Sequence, residues 1–341
     1  MTDPVNDSVT TRCGFVALAG RPNVGKSTLT NALVGEKISI VTPKPQTTRH
    51  RILGVRNEGD TQILLVDTPG MRSGRQNLMG QTMNRNADTS IADADIVLFL
   101  VDDTGLNKAD RHVLERIARH DVPCIAVLNK VDRTRAKAKL LPRLQALGEA
   151  HGFAAMVPIS ARTGDNLPAL LKEITSRLPV SPWLYPADQV SDRDLAFRVA
   201  ELVREKLMMA LSEEVPYGLT VDIAKLAETE EGYEAHATIW VGKDSQKPMV
   251  IGKNGRVLKK VGRAARIELS RALGKPVHLE LWVKIKRHWA DHERSLAALG
   301  YDAAQGPERE RTRTFIRQRL RSAFGDLRSE FLDQRQEQWL S

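Results

Sequence analysis

Strands that alternate with helices over the first 180 residues predict an α/β fold with a doubly wound, mostly parallel sheet. A glycine-rich loop between the first strand and the first helix supports that reading. So does a polar motif at the end of each of several later apolar runs. After residue 180 the pattern changes to a helix, two alternating strands, a glycine-bounded turn, a basic helix and a strand. That order predicts a second, α+β domain, followed by a helical C-terminal extension.

The chain has 341 residues, enough for two separately cored domains, with apolar residues at 41% and charged residues at 27%. No run approaches the ~18 apolar residues of a membrane-spanning helix. The first residues (Thr2, Asp3, Asn6, Asp7, Ser8) lack the basic start of a signal peptide. The two cysteines, Cys13 and Cys124, sit at the edges of apolar runs and read as small core residues of a protein in a reducing compartment. A net charge of +9 suits contact with nucleic acid or an anionic surface, so its location matters.

Phe15 to Ala19 is a short apolar strand. It runs into Gly20-Arg21-Pro22-Asn23-Val24-Gly25-Lys26-Ser27 and then a helix over Thr28 to Val34. The G-x-x-x-x-G-K-S spacing between strand and helix is a phosphate-binding loop. Glycines let backbone N–H groups approach phosphate oxygens, and the helix N-terminus adds its positive end. Lys26 is placed to reach the β- and γ-phosphates, and the Ser27 hydroxyl to hold magnesium. Gln62 to Val66 forms a second strand ending in Asp67-Thr68-Pro69-Gly70. Asp67 is expected to hold magnesium through water, and the Gly70 amide to sense the γ-phosphate. The proline-broken loop from Pro43 to His50 carries a threonine for the magnesium shell, Thr48 first and Thr47 second, which makes the loop a switch.

Pro123 to Leu128 is a strand capped by Asn129-Lys130-Val131-Asp132. The Asp132 carboxylate can accept both donors on the guanine edge, Lys130 can lie over the base, and Asn129 can tie the loops together. Met156 to Ile159 leads to Ser160-Ala161, whose Ala161 amide is expected at guanine O6. The segments between read as a strand over Ile96 to Val101 and helices over Lys108 to His120, Arg135 to His151 and Leu167 to Leu178. All the motifs fall at strand ends, where such sheets bind ligands. The reading is a GTP-hydrolysing switch. Met71 stands where many GTPases place a water-orienting glutamine, which predicts slow intrinsic hydrolysis. Asn23 either supplies an oxygen to a potassium ion or stabilises the loop.

Residues 179 to 192 hold three prolines and mark a domain boundary. A helix is expected over Asp194 to Leu211, then strands over Tyr217 to Leu226 and Tyr233 to Gly242. Met249-Val250-Ile251-Gly252-Lys253-Asn254-Gly255 leads into a helix over Arg256 to Leu273 and a closing strand over Pro276 to Lys284. The G-x-x-G turn before a helix is the clamp of KH modules, which hold about four nucleotides of single-stranded RNA. Residues 243 to 288 carry thirteen Lys/Arg against Asp244, Glu268 and Glu280, so this stretch alone accounts for the chain's positive charge. The RNA-contacting residues are placed at Ile251, Gly252, Lys253, Asn254, Gly255, Arg256, Lys259, Lys260 and Arg263. His288 and His292 are a helical pair without a third ligand, read as solvated surface.

With both motif sets in this order, and with His278-Leu279-Glu280-Leu281-Trp282-Val283-Lys284 behind them, the chain resembles the Era family of bacterial GTPases over residues 12 to 301. The resemblance implies a P-loop GTPase domain at 12–180, a linker at 181–193 and a KH-type RNA-binding domain at 194–301, after a flexible N-terminus at 1–11. It implies GTP/GDP and magnesium as ligands. It also implies binding of small-subunit ribosomal RNA near its 3′ end, help in small-subunit assembly, and a GTP-set RNA-competent state. The expected location is cytoplasmic, with peripheral contact at the inner membrane surface, and the expected state is a monomer. Residues 302–341 exceed the family pattern. They carry a candidate helix with Phe315, Ile316, Leu320, Phe324, Leu327 and Phe331 on one face, which packs on the body or contacts RNA or membrane. Two rival functions are an RNA-binding assembly factor whose nucleotide is only a structural ligand, and a GTPase of tRNA modification.

Overall fold

Six strands form one sheet in the order β2-β3-β1-β4-β5-β6: β1 Arg12–Ala19, β2 Ile52–Glu58, β3 Thr61–Asp67, β4 Ile96–Val101, β5 Cys124–Leu128 and β6 Ala155–Pro158. The computed structural model describes residues 11–71, 74, 76–134 and 136–301. Apart from Thr11, the expected N-terminal arm and the extension after Tyr301 lie outside the described residues. All pairings are parallel except β2 with β3.

Alternation along each strand feeds two cores. Val16, Leu18, Ile96, Leu98 and Leu100 pack on one face under helices α1 (Lys26–Val34) and α5 (Leu167–Thr175). Val97, Phe99 and Val101 pack on the other under α2 (Leu78–Ala92), α3 (Lys108–Ile117) and α4 (Leu140–Ala150). Strands β3 and β4 are buried along their whole length, as a sheet covered on both faces requires. Cys13 and Cys124 are both buried and free, and burial pushes their thiols up to about 11 and about 12.

Several elements depart from the sequence expectations. The helix expected from Arg135 begins only at Leu140, after a 3₁₀ turn over Lys137–Lys139. Strand β2 and helix α2 have no counterpart in the sequence reading. Gly54 in the middle of β2 obscures its pattern and is required there, because a Cβ would lie 2.6 Å from Val34 and 2.7 Å from Ile38. The proline-rich segment after residue 180 is a strap rather than a free tether. Trp183, Leu184 and Tyr185 pack against Cys13, Leu53, Leu64 and Val66, and the Val55 N–H donates to Val190 O at 3.0 Å. Covering the outermost strand in this way removes an exposed sheet edge.

The second domain opens with α6 (Leu195–Ala210), capped by the Asp194 side chain accepting from Phe197 N–H. Strands β7 (Leu219–Thr229), β8 (Gly232–Val241) and β9 (Val277–Ile285) form a sheet in that order, β7 antiparallel and β9 parallel to β8. Helices α6, α7 (Gln246–Ile251) and α8 (Arg256–Leu273) cover one face through Val199, Val203, Leu207, Val250, Val261 and Ala265. Helix α7 is also absent from the sequence reading, being six residues interrupted by Pro248.

Candidate functional site

Strand β1 delivers the loop from Gly20 to Gly25 onto the start of α1, with Asn23 at φ +64° and Gly25 at φ +106°. Gly25 is required by more than its φ. A Cβ there would lie 2.2 Å from Asn129 Nδ2, which donates to Val24 O at 2.8 Å. Gly25→Ala is therefore expected to abolish nucleotide binding while leaving the far domain folded, checked by nucleotide titration alongside thermal melting. Gly20 is equally confined, a Cβ meeting Leu100 O at 2.7 Å.

Lys26 Nζ folds back to donate to Gly20 O at 3.0 Å and Arg21 O at 3.1 Å. Burial brings its pKa down to about 8, opposed by the negative charge of Asp67. A bound phosphate favours the charged form, so nucleotide affinity is expected to fall as pH rises above about 8, at most tenfold per unit. The ligand-free fold has the opposite slope. The unfolded chain binds the extra proton between about 8 and 10.5, so this residue's contribution to stability rises with pH there. Titrations of binding and of melting temperature over pH 7–10 check both signs.

Beside Lys26, Ser27 Oγ lies 2.6 Å from Thr48 Oγ1. Thr47 is turned away, its hydroxyl held by Thr42 Oγ1 at 2.6 Å and Lys44 O at 2.8 Å. The Asp67 carboxylate is fully buried and neither oxygen has a hydrogen-bond partner. Burial pushes its carboxyl pKa up, offset only in part by Ser27 and Lys26. A buried carboxylate beside the Ser27 hydroxyl, which in turn lies against that of Thr48, is a donor set that fits a hard divalent cation. Thr68 Oγ1 donates to Leu18 O at 2.6 Å, Pro69 is buried, and Gly70 abuts Pro22 so closely that a Cβ would lie 2.8 Å from its backbone. Met71 is 2% exposed and packs with Ala87, Ile91 and Phe99, so its thioether points into the core and away from any attacking water. Asn23 Nδ2 donates to Pro43 O at 3.0 Å, linking the phosphate loop to the switch loop.

Asn23, Gly25, Lys26, Ser27, Thr48 and Gly70 line a cavity of about 410 Å³ that also takes in Thr28, Ile40, Val41 and Arg133. Of the base-reading residues Lys130 lines this cavity, and the set is held together by its own hydrogen bonds. Asn129 Oδ1 accepts from Lys130 N–H at 2.8 Å and Ala161 N–H at 3.0 Å. Asp132 accepts from Ser160 Oγ at 2.7 Å and pairs with Arg162 at 2.5 Å. The Ser160 bond, then Arg162, holds its carboxyl below the usual range. Lys130 Nζ donates to Asn23 O at 2.5 Å and lies 3.5 Å from Asp102. The Ala161 amide is thus engaged by Asn129, and a base can use it only by sharing or displacing that bond. Arg21 of the loop motif has partners that the sequence did not reveal: its guanidinium pairs with Asp102 at 2.7 Å and Asp110 at 3.1 Å and pins the loop to the end of β4 and to α3.

The largest omission from the sequence reading is what the switch loop touches in the second domain. Arg49, almost fully buried, donates to Leu219 O at 2.6 Å, Pro216 O at 3.0 Å and Tyr217 O at 3.2 Å. Arg204 of α6, fully buried, donates to Thr47 O and pairs with Glu201 at 2.6 Å. Val41 N–H donates to Glu205 Oε1 at 2.9 Å, and Lys37 bridges Glu205 at 2.7 Å and Glu268 of α8 at 2.6 Å. His50 stacks on Tyr301 with ring centroids 4.3 Å apart, and burial lowers its pKa to about 4. The loop that carries Thr48 to Ser27 is therefore bolted by its flanks to the second domain.

In that domain the turn after α7 holds Gly252 at φ +72°, Asn254 at φ +53° and Gly255 at φ +73°. Ile251 leads into it half-buried, and Lys253, Arg256, Lys259, Lys260 and Arg263 are all exposed. Among the described residues no carboxylate pairs with any of these five cations. They recur at helical spacing along one face of α8, while Val261, Ala265 and Leu269 fill the core on the other. His288 and His292 do not share a helix, since His288 is left-handed at φ +54° and His292 only precedes α9 (Glu293–Ala298). No group of three or more metal-ligating side chains occurs among the described residues.

Comparison with known proteins agrees with this geometry. Family models described as "50S ribosome-binding GTPase" and "KH domain" match residues 15–130 and 214–290. The chain is 46% identical over 297 residues to GTPase Era of Pseudomonas putida, covering 87% of this chain and 99% of that one. It is 43% identical over 292 residues to GTPase Era of Coxiella burnetii, covering 86% and 99%. Among solved structures, Era in complex with MgGDPNP and nucleotides 1506–1542 of 16S ribosomal RNA matches with a TM-score of 0.82 at 39% identity, over 85% of this chain and 99% of that one. An Aquifex aeolicus Era variant bound to GDP and AlF₄⁻ matches equally well, with a TM-score of 0.82. A phosphate loop, a guanine-type base loop and a glycine-clamp module thus recur here in the order and arrangement of those proteins, and the chain belongs to the Era family of GTPases.

Proposed function

We propose that this GTPase is a GTP-gated clamp for single-stranded RNA of the small ribosomal subunit, near the 3′ end, acting in subunit assembly. One observation carries the gating. The same loop meets the phosphate loop through Thr48 and Ser27 and the RNA module through Arg49, Arg204 and Lys37. Residues 12–180 act as the nucleotide domain, 181–193 as the strap and 194–301 as the RNA domain. Ser27, Thr48 and Asp67 would hold magnesium, which supplies positive charge to the β- and γ-phosphates when bound. Lys26 and the amides of Gly20 to Thr28 cradle the phosphates, Gly70 reads the γ-phosphate, and Asn129, Lys130, Asp132, Ser160 and Ala161 select the base.

With Met71 buried, turnover is slow until a partner or a potassium ion beside Asn23 helps place the water. Equal rates in sodium and potassium would remove the ion. The protein works as a cytoplasmic monomer. Its basic surface also supports peripheral contact with the anionic inner membrane, and among the described residues no helix is long and apolar enough to cross one.

The RNA contact rests on Gly252 to Gly255 and on the exposed row Arg256, Lys259, Lys260 and Arg263. Gly252 is a poor test position, because a Cβ would lie 2.9 Å from Val257 N at a φ that side chains avoid. Lys253 and Asn254 are exposed, and aspartate tolerates the left-handed geometry of position 254. Lys253→Asp with Asn254→Asp is expected to weaken binding of a 3′-end RNA oligonucleotide by about a hundredfold, since two acids then face the backbone phosphates. GTP hydrolysis without RNA should be unchanged. Unaltered RNA affinity would remove the clamp.

A further inference from the structure

The helices cover only one face of the three-stranded sheet, and the other face divides into two unlike halves. Towards one end, Glu234, His236, His278 and Glu280 contact one another, with His236 2.8 Å from Glu234 and His278 3.6 Å from Glu280. Towards the other end stand two tryptophans on adjacent parallel strands. Register puts Trp282 of β9 beside Thr238, and Lys284 beside Trp240 of β8. The two residues are therefore diagonal neighbours, their positions about 7–8 Å apart by strand geometry. Trp282 is 56% exposed, an unusual display for the largest apolar side chain.

Lys284 and Lys286 each place Nζ 5.8 Å from the centre of the Trp240 ring, and among the described residues neither pairs with a carboxylate. Trp240 itself is half-buried, and its Nε1–H lies in the buried part without an acceptor, so Trp282 offers the more open ring. Flat aromatic faces flanked by unpaired cations match the faces and phosphates of unpaired nucleotides. An acidic protein segment would satisfy the lysines but would leave the two ring faces without stacking partners.

The position of this half-face also points to RNA. Strand β8 ends at Val241, and the chain passes through Lys243 into α7, whose far end is the Gly252 turn. Six helical residues span only about 9 Å. The Lys286 N–H donates to Val241 O at 2.9 Å, fixing the basic end of β9 beside the start of α7. A strand held over four nucleotides by the clamp reaches this end of the sheet within a few more.

We infer that Trp240, Trp282, Lys284 and Lys286 form a second stacking platform for unpaired bases of the same RNA strand, beyond the four nucleotides in the clamp. This rests on the RNA-clamp reading, so the test separates the two. Binding of the full-length protein to a five-nucleotide and a twelve-nucleotide 3′-end RNA is measured for wild type, Trp282→Ala, Trp282→Phe and the Lys253→Asp/Asn254→Asp pair. Trp282→Ala is expected to weaken the twelve-nucleotide RNA about tenfold and leave the five-nucleotide RNA unchanged. Trp282→Phe should retain most of the affinity, because a ring remains for stacking.

Equal loss on both RNAs would mean a structural role for Trp282, and no loss on the longer RNA would leave it without an RNA role; either overturns the platform. Reduced retention of Trp282→Ala on small-subunit particles, with both RNA affinities intact, also overturns it and gives the face to a protein. If the Lys253→Asp/Asn254→Asp pair binds both RNAs normally, it is the clamp that fails, whatever Trp282 does.

Discussion

Asp67→Asn is expected to lower GTP turnover by a factor on the order of 10²–10³, the usual cost of losing one placed electrostatic group at a phosphoryl-transfer site. The same change should not weaken the ligand-free fold. Asp67 is fully buried, both its oxygens lack hydrogen-bond partners, and burial already disfavours its charged form. Removing a buried charge that Ser27 and Lys26 offset only in part is favourable, so the melting temperature without nucleotide should rise by a few degrees. The stabilisation that magnesium with nucleotide gives the wild type should largely vanish. Stability and activity thus move in opposite directions, the mark of a residue placed for a ligand. A lower ligand-free melting temperature would contradict this, because it would make Asp67 a structural residue.

Arg204→Ala is expected to have the largest effect on the link between the domains. Arg204 is fully buried between the Glu201 carboxylate and Thr47 O, so its removal strands a buried acid and frees the switch loop. Breaking a buried pair from one side costs about 3–5 kcal/mol. RNA affinity should also lose most of its dependence on nucleotide state, because the tie beside Thr48 is gone, leaving α6 held to the segment through Glu205, at Lys37 and Val41. A fold defect alone could mimic that result. In the double variant Glu201→Gln/Arg204→Met both partners are neutral, so most of the stability should return. Thr47 O still lacks its donor there, and the coupling should stay lost. Recovery of coupling along with stability would place the linkage elsewhere. Melting curves and RNA affinity in two nucleotide states separate these outcomes.

The nucleotide site was legible because each part is local. A strand, a polar tetrapeptide at its end and a helix are contiguous, and burial of the strand follows from its own apolar run. Val16 and Leu18 face one core and Val97 and Phe99 the other by simple alternation. What stayed hidden depends on contacts between distant residues. Arg49 belongs to the switch-loop motif and Arg204 reads as one ordinary arginine among many, and nothing within a few residues of either announces a carbonyl cage 170 residues away or a buried acid partner. Arg21 was readable as part of the loop motif, but its tie to Asp102 and Asp110 needed β4 and α3 in place. The strap after residue 180 reads as a linker by its prolines, yet Trp183 and Tyr185 are aromatic groups with an edge to cover. Helix α2 escaped because Gly80, Asn84, Asn86 and Ser90 are weak helix formers, and tertiary packing of Met79, Met83 and Ile91 supplies what propensity lacks.

The most direct test of a nucleotide-gated clamp is the affinity of the full chain for a twelve-nucleotide small-subunit 3′-end RNA, measured with a non-hydrolysable GTP analogue and again with GDP. Binding at least tenfold tighter with the analogue is the expected result, since on this account the γ-phosphate and its magnesium add a hold on Thr48 and, through its loop, on Arg49 and Arg204. Equal affinity in the two states would contradict it, leaving a GTPase and an RNA-binding module that share a chain without communicating.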